Sequence, residues 1–201
     1  MRSRLTDQPV RRSVRLLAGL VLFGLALALL VQARLGLDPW TVLTQGLSRV
    51  VDLSLGTVTV VLSLLLLLIW VPLRQRPGLG TLANALIVGP VLDLGVALIP
   101  APAHLALRIA FVVLAIALVA VGTGLYVGVG WGPGPRDGLM TGLADLGVPV
   151  YLGRTLIEGT VLVAGWLLGG TVGVATVAFA VLVGPLVGRA MRGLAVPPAV
   201  A

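Results

Sequence analysis

The sequence predicts an all-α polytopic membrane protein. Six transmembrane helices form two inverted three-helix repeats, each with a short Pro-initiated helix that is either interfacial or re-entrant. Three observations predict this. The chain is 58% hydrophobic and only 10% charged, with a mean hydropathy of +1.12. Soluble domains carry about 25% charged residues, so this chain cannot cover a globule with polar surface and takes the bilayer as its solvent. Six apolar runs are long enough to serve as spans, and a phrase in the first half returns in the second.

The elements follow in chain order. Residues 1–13 are an Arg-rich cytoplasmic segment, 14–100 the first transmembrane repeat, 101–191 the second, and 192–201 a cytoplasmic tail. A span needs about 20 apolar residues at 1.5 Å each. The runs are roughly 14–35, 55–73, 79–99, 105–128, 152–169 and 171–190. The second, with Val60-Val61-Leu62-Ser63-Leu64-Leu65, is apolar on every side and is expected to face lipid. The others are rich in Gly and Ala, which lets helices approach closely. Gly24 with Ala28, Gly122 with Gly124, and Gly165 with Gly169 are instances.

All basic residues are Arg, and their placement sets orientation. With the N-terminus inside, Arg2, Arg4, Arg11, Arg12, Arg15, Arg74, Arg76, Arg136, Arg154, Arg189 and Arg192 are cytoplasmic. Arg34, Arg49 and Arg108 fall outside. Both termini are therefore expected in the cytoplasm. The apolar start ending in Val31-Gln32-Ala33 also has the look of a secretory signal. The repeat argues against cleavage, because it makes the first run the partner of the fourth.

The repeat has two parts. "GLDPWTVLTQGL" from Gly36 aligns with "GPGPRDGLMTGL" from Gly132, an offset of 132 − 36 = 96. Pro39 meets Pro135 and Gly46 meets Gly142. "GLGTLANALIVGP" from Gly78 aligns with "GVATVAFAVLVGP" from Gly173, an offset of 173 − 78 = 95. Gly89-Pro90 meets Gly184-Pro185. Two matches at nearly one offset indicate duplication. Three crossings per copy is odd, so the second copy enters from the opposite face, as in many secondary transporters. Asp38-Pro39 and Gly134-Pro135 each read as N-cap then N1 of a short helix. Such helices either lie along the interface or dip inward with their N–H groups facing a cavity.

Charges inside apolar runs nominate site residues. Arg154 and Glu158 are four apart and meet on one helix face, as a structural ion pair or as part of a pathway. Asp137 and Arg136 sit in the first turn of the second short helix, with Asp38 and Trp40 at the start of the first. Positive-inside placement alone accounts for Arg136, while Asp137 is expected against Arg136 and Arg154. Asn84 is expected to hydrogen-bond between helices, Asp93 to pair with Arg108, and His104 to be solvated in its loop.

Several classes are excluded. The chain lacks cysteine, so disulfides, thiolate catalysis and Cys metal sites are out. The Arg residues flank apolar runs without interleaved aromatics, which is no nucleic-acid surface. No metal cluster, Ser/His/Asp set or nucleotide fingerprint occurs, so no cofactor, no metal and no enzyme activity are expected.

"GPRDGLMTGL", "GLGTLANALIVGPVLDL" and "RTLIEGTVLVAGWLLGGTVGVATVAFAVLVGP" together resemble the YczE-like, YitT-related family of small bacterial integral membrane proteins, over about residues 14–190. The family pattern has Pro-Trp-Asp in the first repeat, whereas this chain has Pro39-Trp40-Thr41, so one carboxylate is missing. Ala175 stands where the family more often has Gly. The resemblance implies a multi-pass protein of the bacterial plasma membrane, and no substrate. The inverted repeat points to a small secondary transporter or exporter. The alternative is a non-catalytic membrane partner or scaffold. Expected partners are the lipid bilayer and a second copy or another membrane protein.

Overall fold

The structure, a computed structural model, describes residues 8–194. Among these are eight α-helices: α1 (Pro9–Ala33), α2 (Pro39–Val51), α3 (Leu55–Trp70), α4 (Leu79–Leu98), α5 (Leu105–Gly128), α6 (Pro135–Asp145), α7 (Val150–Leu167) and α8 (Val174–Leu194). Helix starts follow local chemistry. Asp38 accepts the Thr41 N–H at 3.2 Å with Pro39 at N1, and Ser54 accepts the Thr57 N–H at 3.1 Å. Gly134 precedes Pro135 without a side-chain cap. Pro90 and Pro185 sit inside α4 and α8, where each removes a backbone donor.

Four of these helices, α1, α4, α5 and α8, are long and apolar enough to cross a membrane. Counting the α2–α3 pair, bent by 111°, as one broken span makes five. By length and composition, four to five of the helices, rather than six, qualify as spans. The expected 55–73 run shortens to the 16 residues of α3. That is about 24 Å of helix against roughly 30 Å of hydrocarbon. The 152–169 run becomes the 18-residue α7, which carries Arg154 and Glu158. α3 is not lipid-facing all round either: Ser63, Leu66 and Trp70 are buried, while Leu64, Leu65 and Leu68 are exposed.

Packing centres on α1 against α5, with α4 laid on α1 and α8 on α5. Small residues set the spacing. A Cβ on Gly19 would come 2.7 Å from the Gly122 carbonyl, and one on Gly122 would come 2.8 Å from the Gly19 carbonyl. Gly95 faces Ala28 and Gly124 faces Ala190. Arg12, placed by sequence in a tail ahead of the first span, lies inside α1 instead. It is buried and donates to the Val129 carbonyl at 2.5 Å.

The short helices reach across the chain. α2 packs on α7, where Gly46 comes against the Gly165 carbonyl, and α6 packs on α3. Two junctions hold the segments ahead of them. The Ala175 N–H donates to the Leu35 carbonyl at 2.9 Å, and the Gly80 N–H donates to the Trp131 carbonyl at 2.9 Å. Beside these, Gly36 (φ +113°) and Gly132 (φ +118°) adopt a conformation that favours glycine, against the Thr176 and Thr81 hydroxyls. α7 and α8, although consecutive, do not pack along their length.

Candidate functional site

The first turns of α2 and α6 open onto one cavity of about 150 Å³ between the two halves of the chain. Asp38, Trp40, Asn84, Arg136, Asp137, Arg154 and Glu158 all line it. The structure thus brings together every site residue nominated from the sequence, from α2, α4, α6 and α7. The C-terminal ends of the short helices point elsewhere, since Val50, Val51 and Leu146 are exposed.

Each charge has a geometry. Arg136 Nη1 lies 3.5 Å from Asp38 Oδ2, and its guanidinium carbon sits 5.4 Å from the Trp40 ring centroid. That is within cation–π range. Arg136 thus bridges the starts of the two short helices, a contact that positive-inside placement does not require. The Tyr126 hydroxyl donates to Asp137 Oδ2 at 3.2 Å, a partner not expected from sequence, while the Arg136 and Arg154 guanidiniums expected beside Asp137 act on it electrostatically. Arg154 Nε donates to Glu158 Oε1 at 3.0 Å along α7. Asp38 Oδ1 is buried and has no hydrogen-bond partner.

The start of α6 is anchored from outside the site. The Trp70 indole N–H donates to the Pro135 carbonyl at 3.0 Å, and its ring lies over Gly138 with no room for a Cβ. The Thr81 hydroxyl donates to the Pro133 carbonyl at 2.7 Å. Asn84 projects beside Gly134, with its amide nitrogen 3.5 Å from where a Cβ would stand.

Other expectations are corrected. Asp93 does not pair with Arg108. It accepts the Ser54 hydroxyl at 2.6 Å and the Gly56 N–H at 2.7 Å, whereas Arg108 Nε donates to the Pro102 carbonyl. His104 is the exposed residue preceding α5. Of the repeat glycines, Gly142 lies against Leu73 and Gln75, Gly89 against the Gly56 carbonyl, and Gly184 against nothing within 4 Å.

Sequence reasoning missed Tyr126, Thr59, Ser63 and Thr123, which also line the cavity. Tyr126 carried a usable signal, because it places a phenol in the last turns of a long apolar helix. The hydroxyls carried none, since Thr59 bonds its own helix at the Leu55 carbonyl as any helical Thr can.

Residues 10–192 match a family described as "Family of unknown function (DUF6198)". The chain is 37% identical over 173 residues to an "Uncharacterized protein" of Haemophilus influenzae, covering 86% of this chain and 79% of that one. It is 30% identical over 170 residues to the "Uncharacterized membrane protein YczE" of Bacillus subtilis, covering 83% and 79%. No solved structure matches. With its apolar helices and a match spanning nearly its whole length, the chain is an integral membrane protein and belongs to the DUF6198, YczE-like family.

Proposed function

We propose that this protein is a small secondary transporter or exporter whose site is the cavity at the starts of α2 and α6. The observation that carries this reading is the convergence of five charged side chains from both halves of the chain on one cavity inside an apolar protein. Burying charge in a membrane is costly, and such charges tend to line pathways. Two features support an inverted pair of halves. The Leu35–Ala175 and Trp131–Gly80 hydrogen bonds each join one copy to the other at matching positions. Likewise α2 rests on α7 as α6 rests on α3. Inverted halves can rock about a central site and expose it to each face in turn. The Arg distribution supports a plasma-membrane protein with both termini inside.

The test is flux. Purified full-length chain is reconstituted in vesicles loaded with a pH-reporting dye and challenged with panels of amines, amino acids and organic anions. The reading expects solute-driven pH change that is reduced at least tenfold by Asp137→Asn or Glu158→Gln. Unchanged flux in both variants would remove these carboxylates from the mechanism. No flux with any solute class would sink the transporter reading.

A further inference from the structure

The two halves of the chain differ at one place that decides how the cavity is reached. In the first half, α3 and α4 are clamped. Gly89 lies against the Gly56 carbonyl, and Asp93 accepts both the Ser54 hydroxyl and the Gly56 N–H. In the second half, Gly184 stands where Gly89 does and Gly188 where Asp93 does, each 95 residues on (184 − 89; 188 − 93). Pro149, the residue before α7, stands where Ser54, the residue before α3, does, again 95 residues on (149 − 54). The clamp's carboxylate and hydroxyl are both missing there. In keeping with this, α7 and α8 do not pack along their length, and a Cβ on Gly184 would meet nothing within 4 Å. The open α7–α8 seam is thus written into the sequence.

Gly184 lines the cavity, so the seam is its side door. Side-chain exposure falls inward from this flank: 45% for Arg154, 25% for Glu158, 17% for Arg136 and 4% for Asp38. The outer faces of both helices are apolar and exposed, at Leu156 and Val163 on α7 and Val177 and Val181 on α8. In a bilayer the door therefore opens on hydrocarbon. Its inner wall on α8, Phe179, Val183 and Val187, is apolar as well.

The cavity's polar lining sets three carboxylates against two guanidiniums. The Arg136–Asp38 and Arg154–Glu158 pairs leave Asp137 in excess. Asp38 is 3% exposed, and its Oδ1 lacks a partner. A buried carboxylate oxygen without a donor is costly, and a ligand that supplies one is favoured.

We propose that the cavity binds an amphiphile with an ammonium head and an alkyl chain: the head donates to Asp38 and the carboxylates around it, and the chain leaves through the α7–α8 seam. This deepens the transporter reading by naming a substrate class for the same cavity.

The test uses the full-length chain in phosphatidylcholine vesicles containing spin-labelled stearylamine or spin-labelled stearic acid. The motionally restricted fraction gives relative binding. The chain carries a net charge of +7, so contact with its outer surface alone favours the acid. The proposal expects the amine to bind about tenfold better than the acid. It expects that preference to vanish in Asp38→Asn and in Gly184→Trp, which fills the seam and adds bulk only to open space. Equal or stronger binding of the acid overturns the proposal. So does an amine preference that survives in Gly184→Trp, or cross-linking of Gly184→Cys between two copies, which would place a second chain in the seam. Flux of a soluble solute without amine preference would overturn this proposal and leave the transporter reading intact. Amine binding without any flux would do the reverse.

Discussion

The Arg136 guanidinium lies 3.5 Å from Asp38 Oδ2 and ties together the first turns of two helices from opposite halves of the chain. Removing one member of a buried ion pair strands the other, at a cost of about 3–5 kcal/mol. Arg136 keeps some exposure, which places Asp38→Asn and Arg136→Met near the lower end of that range. Because the residues touch, the losses should not add. A double-mutant cycle followed by denaturant unfolding in detergent should return a coupling of about 0.5–3 kcal/mol. Strict additivity would show that the pair contributes nothing in the folded protein.

Tyr126→Phe removes the hydroxyl that donates to Asp137. A buried acceptor left unmet costs about 1–3 kcal/mol. Asp137→Leu in the Tyr126→Phe background removes the stranded acceptor and should recover part of the melting temperature. If the double variant melts below both singles, the Tyr126–Asp137 contact is not what the first substitution disturbs.

Gly138 lies beneath the Trp70 ring. Gly138→Ala forces the indole aside and weakens its bond to the Pro135 carbonyl, an overpacking cost of about 1–3 kcal/mol. Trp70 fluorescence should shift to the red as the displaced ring gains contact with water. The chain's other Trp residues are silenced by Phe so that the signal is assigned.

Glycine substitutions should divide by place. Gly19→Val and Gly122→Val drive a side chain into the opposing backbone of the α1–α5 crossing and should abolish a folded, monodisperse peak in detergent. Gly159→Ala on α7 meets nothing within 4 Å. It should be neutral, or stabilising by up to about 1 kcal/mol through helix propensity. A destabilised Gly159→Ala would mean that this face of α7 is covered.

Local features were legible in the sequence because local chemistry determines them. Asp38-Pro39 reads as a cap, and Arg154 with Glu158 as a facing pair, from spacing alone. Asp38, Arg136, Asp137 and Asn84 could be nominated because polarity in an apolar chain stands out. Their pairings were not legible. Asp137 sits next to Arg136 in sequence but bonds Tyr126, while Arg136 reaches Asp38, because the cavity's shape and not chain proximity decides which groups meet. The end of the second run was also misplaced: hydropathy extends it to residue 73, but the helix stops at Trp70, just ahead of Pro72, and the backbone turns. Nothing in the repeat alignment marks Gly184 as vacant, since it matches Gly89 in type; only the loss of Asp93's counterpart hints at it.

Arg12 has a further consequence, for assembly in time. Its partner carbonyl at Val129 lies 117 positions downstream. At about 5–20 residues per second of synthesis, the ribosome needs roughly 6–23 s to deliver that carbonyl after Arg12 has emerged. Until then the Arg12–Val129 contact cannot form, so that contact waits on the residue that follows the fifth helix. A chain truncated before α5 lacks both this contact and the packing of α1 on α5, and should leave the first helix open to quality-control proteolysis.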